Sequence, residues 1–170
     1  MTLLDEIETA IPALRRYAHA LVRDSDRAED LVQDCLERAV ARRQFWRGEG
    51  DVRSWLFRIL LNRFRDGLRS ARGRAQLVPF EAVPDPGQPA PQDAQMALRE
   101  VHAAMARLPD DQRAALLLVA VEGMTLTEAA RILAVPEGTV ASRIARARAA
   151  LRGMTGRPEH RSPRTEGSQT

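Results

Sequence analysis

Lysine is missing altogether from this 170-residue chain: all 26 basic residues are arginine. Every positive group can therefore fork bidentately onto a phosphate or a guanine edge. Cysteine is nearly absent too. The single one, Cys35, allows no internal disulfide, which fits a reducing compartment. It lies on the same helical face as Leu31, Val32 and Leu36, so it reads as a small buried hydrophobe rather than a reactive thiol. His19, His102 and His160 do not cluster with each other or with Cys35 at metal-ligand spacing. No glycine-rich phosphate loop is present, and no nucleophile, base or metal set can be assembled, so no enzyme is expected and no cofactor. Met1 to Glu8 lacks the basic start and apolar core of a signal peptide. No apolar run is long enough to span a bilayer. The expected setting is cytoplasmic, with no membrane insertion.

What is present is charge in blocks. The net charge is only +3, but Asp24 to Glu37 holds six acids against Arg27, or −5. Arg38 to Arg74 holds eleven arginines against Glu49, Asp51 and Asp66, or +8. Thr139 to Arg164 holds seven arginines against Glu159, or +6. Two basic blocks suggest two separate nucleic-acid surfaces. The acidic block suggests a protein partner or a solvated helix face.

The run from Leu126 to Arg143 reads as helix, tight turn, helix. Thr125 is a good N-cap, and Glu128 three residues on completes a capping box. Pro136 suits the first positions of the second helix. There Val140, Ile144, Ala147 and Leu151 repeat at helical spacing and should face inward. Ser142, Arg143, Arg146 and Arg148 project elsewhere. A short helix carrying small polar and arginine side chains, propped by a partner helix, suits the DNA major groove. The plain alternative is a helical hairpin with a solvated basic face.

The periodicity predicts an all-α chain of two small helical domains joined by a proline-rich flexible linker. The expected boundaries are a first domain over 1–75, the linker over 76–94, a second domain over 95–153 and a disordered tail over 154–170. Leu3, Leu4, Ile7, Ile11, Leu14, Ala18 and Leu21 keep a helical period, with Pro12 marking a break or fresh start. Asp26 can cap the next helix with Glu29, and its inner face is Leu31, Val32, Cys35, Leu36, Ala39 and Val40. Pro79, Pro84, Pro86, Pro89 and Pro91 crowd a stretch with little period. Helical pattern resumes with Met96, Leu98, Val101, Met105 and Leu108. Pro109 opens a further helix with Leu116, Leu117, Val119 and Ala120, which Gly123 is placed to end. Nothing reads as a strand pair.

A long helix over Asp51 to Arg72 carries the other constellation. Val52, Leu56, Ile59, Leu60 and Phe64 fall on one arc, while Arg58, Asn62, Arg65, Arg69 and Arg72 line the opposite side. Trp55 sits between, with Phe45, Trp46 and Phe57 near in sequence. Arginines track phosphates, and an aromatic ring can stack on an unpaired base. Trp55 and Phe57 read equally well as core. A merely solvated face would carry mixed charge.

These segments resemble the extracytoplasmic-function, or group 4, sigma factors of bacterial RNA polymerase, in the sigma-70 family. Arg27-Ala28-Glu29-Asp30-Leu31-Val32-Gln33-Asp34 is similar to the core-binding segment, and Val52 to Arg69 to the segment that opens and reads the −10 element. Leu108-Pro109-Asp110-Asp111-Gln112-Arg113 resembles the opening of the second domain. Gly138-Thr139-Val140-Ala141-Ser142-Arg143 resembles the −35-reading helix, with Ala141 where the family often carries a basic residue. The four motifs stand in the family's order over roughly residues 10 to 152.

The resemblance implies an alternative sigma factor with core RNA polymerase, promoter DNA and an anti-sigma factor as partners. Asp30, Gln33, Asp34 and Glu37 would dock on the β′ clamp helices, and the second domain on the β flap. Trp55, Arg58, Asn62, Arg65 and Arg69 would hold and melt the −10 region. The loop from Phe45 through Trp46 and Arg47 to Asp51 would capture a flipped base, and the linker would thread toward the RNA exit path. Ser142 and Arg146 would read −35 base edges, with Thr139, Arg143 and Arg148 on phosphates. Ile11 to Ala18 resemble general-stress sigma factors of alphaproteobacteria, which implies a stress regulon. The competing functions are a helix-turn-helix regulator acting without core polymerase and a sigma-like mimic that sequesters a regulator. The first needs neither the acidic helix nor the arginine-lined one. The second has no use for Arg143 and Arg146.

Overall fold

The structure, a computed structural model, describes residues 2–48, 50–72 and 92–156. The described residues are helical and contain no strand. The helices are α1 (Leu3–Val22), α2 (Ser25–Ala41), α3 (Val52–Arg72), α4 (Gln92–Arg107), α5 (Asp110–Ala120), α6 (Leu126–Leu133) and α7 (Glu137–Thr155), with a 3-10 turn at Arg43–Phe45. Most of the expected linker and tail lie outside the described residues. The first turn of α4 already falls within the stretch read as linker, and α7 runs on to Thr155.

The caps explain most boundaries. Thr2 and Asp5 form a capping box at α1. The helix then continues through Pro12 without a break, contrary to the sequence expectation. Pro12 and Glu8 one turn earlier are both exposed, so the carbonyl that proline leaves unbonded can be hydrated. Arg23, in the left-handed region at φ 62°, ends α1. Asp24, not Asp26, then caps α2 by accepting the Arg27 N–H at 3.0 Å; the chain turns at Arg23, so Asp24 is the residue standing at the new helix start. Asp51 caps α3, its carboxylate accepting the N–H groups of Arg53 and Ser54. The expected Thr125–Glu128 box is formed at α6.

α1, α2 and α3 pack together as a first body, and α4 to α7 form the second. Tyr17, Leu14, Leu21, Leu56, Phe57 and Leu60 are fully buried in the first. Tyr17 meets Phe57 edge to face at 5.0 Å, so Phe57 belongs to the core. Cys35 is buried as expected and donates to the Leu56 carbonyl at 3.3 Å. Burial pushes its thiol up to about 12. Leu4 and Val40, placed on inner faces by their period, are exposed. In α4 the apolar residues Met96 and Leu98 are also exposed, and the packed face is Val101, Ala104, Met105 and Leu108.

The two bodies are not apart. α5 is buried at six consecutive positions, Arg113 to Leu118, because α1 lies on one side of it and α6 and α7 on others. From Ala114 to Leu118 the helix is apolar all round, as an interior helix is. Buried side chains of both bodies join in one continuous core.

Candidate nucleic-acid interface

The helix-turn-helix is built as its sequence suggests. Ala134 takes the left-handed conformation, φ 54°, that closes α6. Pro136 caps α7, and Thr127 donates to Glu137 at 2.8 Å, tying the two helices together. Val140, Ile144 and Ala147 are buried, and Leu151 is half-buried. The opposite face is left to solvent: Ser142, Arg146 and Arg148 are exposed. Thr139, Ser142, Arg143 and Arg146 share one open cleft of about 400 Å³ with Asp111, Gln112 and Gly138. Arg148 is not part of it. Arg143 is the least exposed of these arginines; its Nε forms an ion pair with Asp111 of α5 at 3.3 Å, with 22% of the side chain accessible.

On α3, Arg58, Asn62 and Arg69 are exposed along one line. Arg65, on the same line, is half-buried and donates to the Leu133 carbonyl of α6 at 3.1 Å. Burial, with Arg143 near, lowers its guanidinium below the ordinary arginine range. Trp55 is half-buried and stacks on Trp46 at 5.0 Å with a 38° tilt. Phe45 beside them is 71% exposed. On α2, Asp30, Gln33 and Glu37 are exposed. Asp34 is half-buried and accepts from Arg63 at 2.7 Å, so this acid serves the first body's own α2–α3 packing.

Sequence reasoning missed one polar centre. Glu122, whose side chain is fully buried, accepts from Arg16 of α1 at 2.8 Å and from Arg53 of α3 at 2.5 Å. In sequence it is one acid beside Gly123 at a helix end, and its partners lie 106 and 69 residues away. No local signal announces such a pairing.

Among the described residues no group of histidines, cysteines and acids could hold a metal ion. No helix among them is long and apolar enough to cross a membrane.

Residues 7–61 match the family described as the sigma2 domain of PhyR, and residues 98–151 match sigma-70 region 4. The chain is 37% identical over 153 residues to the ECF RNA polymerase sigma factor EcfG of Rhodopseudomonas palustris, covering 90% of this chain and 84% of that one. It is 37% identical over 143 residues to SigM of Mycobacterium tuberculosis, covering 84% and 71%. Its structure resembles that of the sigma factor RpoE from Bartonella quintana, solved in complex with the anti-sigma factor NepR. There the TM-score is 0.79 at 31% identity, over 91% of this chain and 97% of that one. With region 2 in α1–α3 and region 4 in α4–α7, the chain belongs to the ECF sigma factors, alternative sigma factors that direct RNA polymerase to promoters.

Proposed function

We propose that this sigma factor reads a −10 element with α3 and a −35 element with α7, and grips core polymerase through the outer face of α2. One arrangement carries the proposal. Two arginine faces stand on separate helices of one chain, and on a third helix, α2, Asp30, Gln33 and Glu37 form an exposed acidic face whose acids make no ion pair with an arginine among the described residues. Arginine-lined faces attract the phosphate backbone, and sequence is then read by side chains at base edges. Ser142 and Arg146, exposed in the α7 cleft, suit base edges; Thr139, Arg143 and Arg148 suit phosphates. On α3, Arg58, Asn62, Arg65 and Arg69 would hold the −10 backbone. The Phe45–Trp46 turn leading into Trp55 would take a flipped base, which costs a few kcal/mol of unstacking and so converts melting into readout. Asp30, Gln33, Asp34 and Glu37 would face the β′ clamp helices, Asp34 with its charge shared by Arg63. The β flap would receive region 4. An anti-sigma factor of the NepR kind is the expected regulator, a stress regulon the expected output and the cytoplasm the expected place.

The test is runoff transcription with core polymerase from a promoter library. Promoter-specific transcripts are expected with core and this protein together, and poor duplex binding by the protein alone. Tight, specific binding by a free dimer with no effect on core would reverse the reading. The match of the first half to a PhyR-type sigma2 domain favours one alternative, a mimic that captures an anti-sigma factor without touching DNA. Anti-sigma capture with no runoff product would select it.

A further inference from the structure

Two neighbouring acids open α5, and each binds an arginine in a different way. Asp110 meets Arg113 at 2.5 Å, and Arg113, with 5% of its side chain accessible, also donates to the carbonyls of Leu21 and Leu108. That arginine is sealed in the core. Asp111 reaches instead to Arg143 of α7, through one contact of 3.3 Å at Nε. The side chain of Asp111 is 53% accessible. Its other oxygen accepts the Gln112 N–H at 2.9 Å, which fixes the carboxylate independently of Arg143. Nη1 of Arg143 is buried and has no hydrogen-bond partner among the described residues.

The geometry makes this second pair exchangeable. Arginine binds an oxyanion most strongly through two parallel N–H groups, and Asp111 engages it at one. A half-exposed ion pair of that kind contributes little, so a phosphate that offers two oxygens competes well for the guanidinium. The pair also lies where a phosphate would arrive. Among the described residues lining the α7 cleft, Arg143 and Arg146 are the cations and Asp111 is the acid. Asp111 therefore cancels one of the two positive charges that face DNA. Arg65 and Arg69 of α3 line the adjoining cleft with Asp111, but Arg143 is the arginine it pairs with.

We propose that Asp111 stands in for a promoter phosphate: it holds Arg143 in the free protein, yields it to DNA, and so sets how strongly α7 binds duplex of any sequence. This rests on the assignment of α7 to the −35 element. In the exchange Arg143 swaps a carboxylate oxygen for phosphate oxygens. Asp111 keeps the Gln112 N–H and takes up water or a solvent cation. Every sequence carries the same phosphates, so the cost of parting the pair falls alike on right and wrong sites. Asp111 thus lowers the sequence-blind part of the affinity and leaves base reading to Ser142 and Arg146.

The experiment titrates holoenzyme, made with core polymerase, against two promoter duplexes over a salt series. One carries the −35 sequence that wild-type holoenzyme selects from a randomised library, and the other a scrambled −35. Asp111→Asn removes the charge but keeps an oxygen for the Gln112 N–H, and thermal melting checks that it folds. Both duplexes should bind it more tightly by about two- to fivefold, the worth of one half-exposed ion pair. The ratio between them should hold, and the salt slope should steepen by up to about one unit, since no bared carboxylate takes up a cation. Asp111→Glu, which restores the charge, should bring back the wild-type affinity and slope. In an Arg143→Ala background Asp111→Asn should change neither. Unchanged affinity in a folded Asp111→Asn protein overturns the proposal. So does tightening that survives Arg143→Ala, because Asp111 would then act by repelling phosphate directly. A wild-type holoenzyme that selects no −35 sequence overturns the assignment of α7, and the proposal with it, whatever Asp111→Asn does.

Discussion

α3 and α7 both carry arginines on one face, yet they are held in different ways. α3 sinks Leu56, Phe57, Leu60 and Leu61 into the first body, all at 1% exposure or less. α7 buries only Val140, Ile144 and Ala147. The first helix is anchored by large side chains on nearly half its circumference. The second rests on α4, α5 and α6 by fewer and smaller ones and leaves most of its surface free. In the proposed roles, α3 would hold a parting duplex and use the deep anchor, and α7 would enter a groove and use its bare flanks. Their charges differ in the same sense: arginines of α3 are matched by Asp34 and Glu122, whereas α7 shows one such partner, Asp111.

The contrast breaks most easily at its anchor. Phe57→Ala should cost about 3–5 kcal/mol of stability, including the edge-to-face contact with Tyr17, and chemical denaturation measures it. A loss below about 1 kcal/mol would mean that α3 is held no more firmly than α7.

Next in size is the acidic face that sets α2 apart from both arginine helices. Asp30→Arg with Glu37→Arg spares Asp34, which already serves Arg63. Like charges placed in a complementary interface cost several kcal/mol, so core binding in a pull-down should fall by about a hundredfold or more while the melting temperature holds. Unchanged association would move the polymerase contact elsewhere.

The two arginines of α7 sharpen the comparison from the other side. Arg146→Ala should cost about 1–3 kcal/mol and relax selectivity at one −35 position. Arg143→Ala, if Arg143 leaves Asp111 for a phosphate, should weaken all sequences alike and lower the salt slope by roughly one unit. Identical profiles over a randomised −35 library would show that the roles are not divided.

The smallest effect lies in the turn. Ala134 sits at φ 54°, where an alanine is strained and glycine is not. Ala134→Gly should stabilise the protein by about 0.5 kcal/mol, the strain relieved being partly offset by glycine's greater freedom when unfolded. A destabilisation in urea melts would show that the turn is fixed by packing and not by backbone preference.

Much of this molecule is written locally. The Thr125–Glu128 box, the Asp51 start of α3, the inward face of α7 and the arginine line all depend on residues within about four positions of one another, and the helical period exposes them. The order of the four motifs was enough to point to the family. The errors were also local ones: Pro12 and Asp26 followed general preferences that solvent exposure and the turn at Arg23 overrode. One clue went unread, since the unbroken run Ala114-Ala115-Leu116-Leu117-Leu118 already described a helix covered on every side. What no spacing could supply is the choice of partners across the two bodies. Tyr17 meets Ala114, Arg113 meets Leu21 and Glu122 meets Arg16 and Arg53. A buried carboxylate takes whichever cations docking brings to it, and docking is decided by the shapes of two finished bodies. Sequence determined the helices, their faces and the family; only the tertiary structure decided that the two bodies close on each other and turn Arg65 inward, and that α5 brings Asp111 to Arg143.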